Sequence, residues 1–313
     1  MFRPVLGALL RASGVPAAVR HTICRRRVTI LVYHDPDPES LRAHLAYLRP
    51  RYNFIDLDTY VSALAEGTTD ALPDRSLIIT FDDGYARNGA LQEVLQEAGV
   101  RPTIYVCSQI AGTSRRFWFK VASRAGRRLQ ALSQAERTEV LARDFDFSWV
   151  REYDQPEALG LEDIRRLREC ASFGSHSRFH EILPTLTEAE AEAEIAESRT
   201  EVERLTGADC RHFCFPNGRY TERDIEIVRR AGYASARTLD PGFNGPNQDP
   251  YRLRAICVTD NASVSWLAVQ LTGIPALFRH LRQSGRRKAL SRQPVWRPSW
   301  LRPLADRSPI TRA

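Results

Sequence analysis

The stretch Leu77-Ile-Ile-Thr-Phe-Asp82-Asp83-Gly84-Tyr85 constrains this chain more than any other. Leu77 to Ile79 is a continuous apolar run, as expected of a strand buried on both faces of a parallel sheet. The run passes through Thr80-Phe81 and ends on two adjacent carboxylates and a glycine. Two acids at the exit of a buried strand are unfavourable unless something compensates them. A metal cation does so, holding one carboxylate and leaving the other free as a base. A surface turn after a strand also carries Asp-Gly, so this stretch alone leaves both readings open.

A second stretch, Gly174-Ser-His176-Ser-Arg-Phe-His180, sets two histidines four residues apart. On a helical turn that spacing puts both rings on one face, where they can share one ion. An isolated pair of this kind also occurs in plain loops and cores. Taken together, Asp83, His176 and His180 make an Asp-His-His set that leaves open positions on a zinc-like ion.

Three motifs now stand in order: Thr80-Phe-Asp82-Asp83-Gly84, His176-Ser-x-x-His180, and Phe213-Cys-Phe-Pro216-Asn217-Gly218. In this combination the chain resembles the polysaccharide deacetylases of the NodB-homology type, carbohydrate esterase family 4. The likeness runs from about Thr29 to about Asp260, and Val32-Tyr33-His34 is similar to the first strand of one branch of that family. The resemblance implies an α/β fold, a distorted (β/α) barrel, and hydrolysis of an N-acetyl group on an amino sugar. It also implies one divalent ion, Zn2+ foremost, on Asp83, His176 and His180. An amide carbonyl is a poor electrophile, so such an ion is needed to polarise it and to acidify the attacking water. By the same resemblance Asp82 is the general base, and the backbone N–H of Asn217 is the oxyanion donor. Gly218 lets the chain turn tightly beside the ligand. Tyr85 is a further candidate on the substrate side.

Two departures from the family pattern matter. Many members carry an arginine before the proline, where it holds the base; here that position is Cys214, so Asp82 must be held some other way. Many also carry a late Leu-x-His that supplies the general acid, and no good copy is present. His34, at the end of a core strand, is then a candidate acid, a substrate ligand or a packed histidine. Asp240 could orient another side chain, although Asp-Pro is also a plain turn.

Strands and helices alternate along the chain at the rhythm of a parallel sheet, closed or doubly wound. Strands are expected at Val28–Tyr33, Phe54–Leu57, Leu77–Phe81, Pro102–Cys107, Arg211–Phe215, Ala234–Thr238 and Arg252–Val258. Ser40 and Thr59 are expected to open the first two helices between them. Residues 114–160 break the rhythm with Phe117-Trp118-Phe119 and basic helical sequence, and read as an inserted helical cap or a long crossover. The glutamates between Thr187 and Leu205 read as a solvated helix face.

The charge divides the chain more sharply than its length of 313 residues does. Residues 279–313 hold ten Lys and Arg and one Asp, and the first 27 hold six Arg and no acid, so residues 28–278 carry a net −8. We therefore expect a basic N-terminal segment (1–27), a catalytic domain (28–278) and a basic tail (279–313). The tail, with Trp296 and Trp300, fits an anionic membrane surface or plain disorder. No nucleic-acid motif is present, and the acidic middle argues against such a partner. No stretch is apolar enough for a span, and the N-terminus lacks a clean signal peptide. Phe2, Val5, Leu6, Leu9 and Leu10 could still share one face of an amphipathic anchor. Six scattered cysteines suit a reducing compartment. The expected setting is thus cytoplasmic, peripheral at the inner membrane face, with an N-acetylated saccharide as substrate. Removal of formyl from a lipid-linked amino sugar, or metal-free saccharide binding by an inactive relative, are the alternatives.

Overall fold

The computed structural model describes residues 2–278 apart from residue 124; of residues 2–6 and Arg127 it describes the backbone alone. Its strands are β1 (Thr29–Tyr33), β2 (Asn53–Phe54), β3 (Ser76–Phe81), β4 (Thr103–Val106), β5 (Ser172–Ser175), β6 (His212–Cys214), β7 (Ser235–Arg237) and β8 (Ile256–Cys257). They form one parallel sheet in the order β7-β6-β5-β4-β3-β1-β8, with β2 beside the start of β3. A single parallel bridge from Arg237 to Leu253 brings the two edges of the sheet towards each other. The curled sheet is the distorted (β/α) barrel that the resemblance implied.

Every residue of β1 and β3 is buried, which explains their unbroken apolar sequence. Thr80 fits this setting because its hydroxyl donates to the carbonyl of Leu31 on the neighbouring strand at 2.9 Å.

The helices are α1 (Phe2–Ala12), α2 (Val15–His21), α3 (Pro38–Leu48), α4 (Leu57–Glu66), α5 (Gln92–Ala98), α6 (Trp118–Val121), α7 (Gly126–Leu129), α8 (Gln134–Phe145), α9 (Leu161–Leu167), α10 (Glu188–Glu192), α11 (Ser198–Thr206), α12 (Glu222–Arg230) and α13 (Val264–Gln270). Two of them begin earlier than expected. Asp37, not Ser40, caps α3, and Asp56, not Thr59, caps α4; each carboxylate accepts the N–H three residues on, from Ser40 at 2.8 Å and Thr59 at 2.6 Å. The cap at Asp56 also explains why β2 stops after Phe54.

Residues 114–160 contain α6, α7 and α8, joined by their own apolar cluster of Trp118, Ala122, Leu129, Leu141, Phe147 and Ile182. Farther on, α10 and α11 are joined through a π-helical turn, Ala193–Glu197. Glu188, Glu192 and Glu197 face solvent as expected, but that turn carries Glu194 into the interior, where it is 4% exposed.

Part of the basic N-terminal segment packs on the barrel. Gly7 of α1 lies so close to α13 that a Cβ there would stand 3.3 Å from the Trp266 nitrogen. Leu9 remains 65% exposed; the side chains of Phe2, Val5 and Leu6 lie outside the described residues, as does the tail with Trp296 and Trp300. Among the described residues no helix is long and apolar enough to cross a membrane, and all six cysteines are free thiols.

Candidate active site

The site stands at the C-terminal ends of the strands, where β3 and β5 deliver the two motifs. Asp82 and Asp83 follow β3 directly, and His176 follows β5. The strand register sets β4 between them, Phe81 opposite Ile104 and Val106 opposite Ser175.

The spacing of His176 and His180 suggested a helical turn, but the structure has none there. Residues 176–180 form an irregular loop with left-handed backbone at Ser177 (φ 64°) and His180 (φ 61°). The loop still brings the imidazoles together, ring centroids 4.9 Å apart. Asp83 is left-handed too, at φ 67°. The following Gly84 (φ 64°) must be glycine, because a Cβ would meet Val106 Cγ1 at 2.6 Å. Such backbone is uphill by about 1–3 kcal/mol per residue and persists where the surroundings enforce it.

Asp83, His176 and His180 each bring one ligand atom into a group within 4.8 Å, and all three are buried. Asp83 Oδ1 lies 3.5 Å from His176 Nε2 and 3.3 Å from His180 Nε2, yet it has no hydrogen-bond partner. The tautomer of His176 explains this. Its Nδ1 lies 2.9 Å from the Cys214 carbonyl, which only a ring N–H can satisfy, so a neutral ring turns a bare lone pair at Nε2 towards Asp83. Burial pushes His180 down to about 4, which keeps its ring neutral. A carboxylate oxygen against two imidazole nitrogens is a set of donors for a cation, and the residues fit a divalent ion.

A second group, Asp82, His176 and Cys214, is equally compact. It fits no metal, because a fixed cation already sits there. Arg237 donates through Nη2 to Asp82 Oδ1 and to Cys214 Sγ, the latter at 2.6 Å. Cys214 in turn lies 3.8 Å from Asp82 Oδ2. Burial opposes the charge on Asp82, but Arg237, His176 and His34 outweigh it and hold the carboxyl below its usual range.

Arg237 is the residue that sequence reasoning missed. Cys214 occupies the position expected for an arginine, and the structure supplies one from the next strand: Cys214 and Arg237 are register partners across β6 and β7. A cation within the strand Ser-Ala-Arg was the available signal, since a buried charge needs a partner. Also missed were Glu194, which accepts from the N–H groups of Arg178 (3.0 Å) and Phe179 (3.1 Å), and Asp260. The Asp260 carboxylate accepts from the N–H groups of His34 (2.9 Å) and Asp35 (3.1 Å), fixing the backbone at the end of β1.

The remaining candidates line the mouth. His34 is half-buried just past the end of β1, beside Asp82, whose N–H donates to the Tyr33 carbonyl at 2.9 Å. Tyr85 is half-buried next to Asp83, edge-on to Phe117 at 5.4 Å, with Lys120 Nζ 4.3 Å from its ring centroid. Asn217 is exposed in a tight turn at φ 54°. Gly218, at φ 60°, passes so close to the loop after β7 that a Cβ would stand 2.5 Å from Leu239 Cβ. Asp240 accepts the Tyr220 hydroxyl at 2.6 Å.

Known proteins share this arrangement of strands. The solved deacetylase PplD of Streptococcus pyogenes, in complex with acetate, superposes with a TM-score of 0.59 at 17% identity, over 78% of this chain and 98% of its own. IcaB of Ammonifex degensii does so at 0.58 and 18%, over 79% and 97%. These likenesses concern the fold. In sequence, the candidate polysaccharide deacetylase YxkH of Bacillus subtilis (strain 168) is 23% identical over 249 residues, 76% of this chain and 74% of the relative. The profile described as polysaccharide deacetylase matches residues 69–236, which include Asp82, Asp83, His176, His180, Asn217 and Gly218. With more than half of its length in that match, the chain belongs to the polysaccharide deacetylase family.

Proposed function

We propose that this chain is a metal-dependent hydrolase that removes the N-acetyl group from an amino sugar of a nascent or lipid-linked glycan, at the cytoplasmic face of the membrane. The observation that carries the metal reading is the unpartnered Asp83 Oδ1 between the ring nitrogens of His176 and His180. Asp83, His176 and His180 would hold the ion, which when bound polarises the acetamide carbonyl and acidifies water; Zn2+ suits one carboxylate and two imidazoles.

Asp82 takes the proton from the attacking water at a carboxylate oxygen. Arg237 keeps that carboxyl ionised and fixes its orientation through Oδ1. The N–H of Asn217 stabilises the oxyanion, and His34 hands a proton to the departing nitrogen. The wall formed by Tyr85 and Lys120, with Phe117 packed behind Tyr85, would receive the sugar. Lys120, exposed and free of acids in its own stretch 114–132, offers a cation to a phosphate of a lipid-linked substrate.

The deciding experiment measures released acetate and free amine on a panel of N-acetylhexosamine glycolipids and oligosaccharides, alongside metal content by elemental analysis. One equivalent of zinc and acetate release are expected. In His176→Ala or His180→Ala, both should fall together. Formate release from an N-formyl substrate instead would reassign the acyl group, and saccharide binding without metal or turnover would make the chain an inactive relative.

A further inference from the structure

The two histidines are oriented by different means. The ring of His176 is fixed through Nδ1 on the Cys214 carbonyl, but Nδ1 of His180 is buried with no partner. The direction of the His180 ring must therefore come from its backbone and from what packs on it. The inserted segment supplies much of both. Trp118 of α6 donates its indole N–H to the His180 carbonyl at 3.1 Å, and the Phe119 ring lies 4.5 Å from the imidazole.

The next residue, Glu181, is 0% exposed and pairs with Arg137 of α8, also 0% exposed. The same guanidinium donates to the carbonyls of Leu129 and Leu132, at 3.2 Å each, and stands 5.3 Å from the Trp118 ring. Stability does not explain this pair. Desolvating two charges offsets most of their attraction, and apolar pairs of similar volume often hold a fold as well or better. The neighbours of Arg137 in the insert, Trp118, Leu129, Leu141 and Phe147, are already such an apolar core. What this ion pair adds is direction: the guanidinium, tied by Nη1 to two carbonyls, anchors Glu181 through a single bond from Nη2 to Oε2, with Oε1 left without a partner.

We propose that Arg137 and Glu181 are a positioning pair that sets His180 for metal binding, so that the inserted segment is a working part of the metal centre. The inference rests on the metal-dependent reading above.

The test compares full-length wild-type protein with the double variant Arg137→Met/Glu181→Met, which leaves no unpaired charge. The readout is the apparent Zn2+ Kd from competition with a chromophoric chelator, on protein shown to be folded by circular dichroism. The expected result is a Kd weakened by roughly 10- to 100-fold, as for other groups that orient metal ligands. Trp118→Phe, which keeps an aromatic ring but loses the N–H, should shift Kd in the same direction by less. Arg151→Ala, which breaks the exposed pair with Asp146 within the insert, should leave Kd unchanged. A folded double variant with wild-type Kd overturns the proposal. If that variant does not fold, Arg137→Lys and Trp118→Phe decide, and wild-type Kd in both overturns it. Wild-type protein that binds no zinc would instead defeat the metal reading itself.

Discussion

Asp82 shows how one residue's chemistry depends on a neighbour far away in sequence. Its carboxylate is buried, and the compensating charge comes from Arg237 on a different strand. Replacing Arg237 with Met removes the largest of the charges that compensate Asp82. Loss of one partner of a buried pair typically destabilises by about 3–5 kcal/mol. With its cation gone, burial raises the Asp82 carboxyl, so the base stays protonated to higher pH. The acid limb of the kcat/KM profile should therefore move to higher pH in Arg237→Met, with metal content unchanged. An unmoved acid limb in folded variant protein would show that Arg237 does not tune the base. Asp82→Asn should keep the metal and lose about 10²-fold or more in kcat, because an amide cannot accept the proton. Normal turnover by a metal-loaded Asp82→Asn protein would remove Asp82 from that role. Sequence alone showed Asp82 and that it needed a holder. It did not show which residue, because nothing in the chain order of Cys214 and Arg237 tells that they are register partners.

At the scale of elements, legibility followed burial. The unbroken apolar runs of β1 and β3 admitted one reading, whereas the parallel alternation left a closed and a doubly wound sheet both open, and the family resemblance chose between them. Short elements were less clear: the caps at Asp37 and Asp56 lie three residues before the serine and threonine that were expected, since all are good N-cap residues. The histidine spacing fitted a helix and a loop equally well, and left-handed backbone at Ser177 and His180 leaves no mark in composition. The same blindness hid Glu194, which a regular amphipathic helix would have left in solvent and the π-helical turn buries. Burial foremost, then the charge of Glu181, pushes the Glu194 carboxyl from 4.5 up to about 7. Between those values the unfolded chain gives up this proton while the fold retains it. Stability of the metal-free protein should thus fall as pH rises from 4.5 to about 7, by about 3 kcal/mol at most from this group. Glu194→Gln, whose amide oxygen can still accept from Arg178 and Phe179, should flatten that slope. Urea unfolding at pH 5 and pH 8 checks it, and identical slopes in both proteins would show that Glu194 ionises without penalty.

Across the whole molecule the charges are separated: residues 28–278 carry −8, and the tail from Arg279 carries +9. An acidic catalytic part should be repelled by anionic lipid, so attraction has to come from the ends of the chain. The described chain stops at Phe278, five residues after Gly273, which packs by Phe243. Phe243 precedes Asn244, whose backbone pairs with Val28 at the start of β1. None of the residues placed at the candidate site lies in 279–313, so a chain ending at Phe278 keeps them all. Near a bilayer each Lys or Arg contributes about 1 kcal/mol, and salt screens it. A few engaged arginines, with Trp296 and Trp300 in the interface, would suffice for reversible docking. Full-length protein should therefore sediment with phosphatidylserine liposomes at low salt and release at high salt. A chain ending at Phe278 should not sediment, and should keep its activity on a soluble substrate. Equal sedimentation of both proteins would refute the role of the tail and point instead to α1, where Leu9 and Leu10 stand 65% and 37% exposed beside Arg11. Loss of soluble activity on truncation would place the tail in the folded catalytic unit, contrary to the division of charge that separates them.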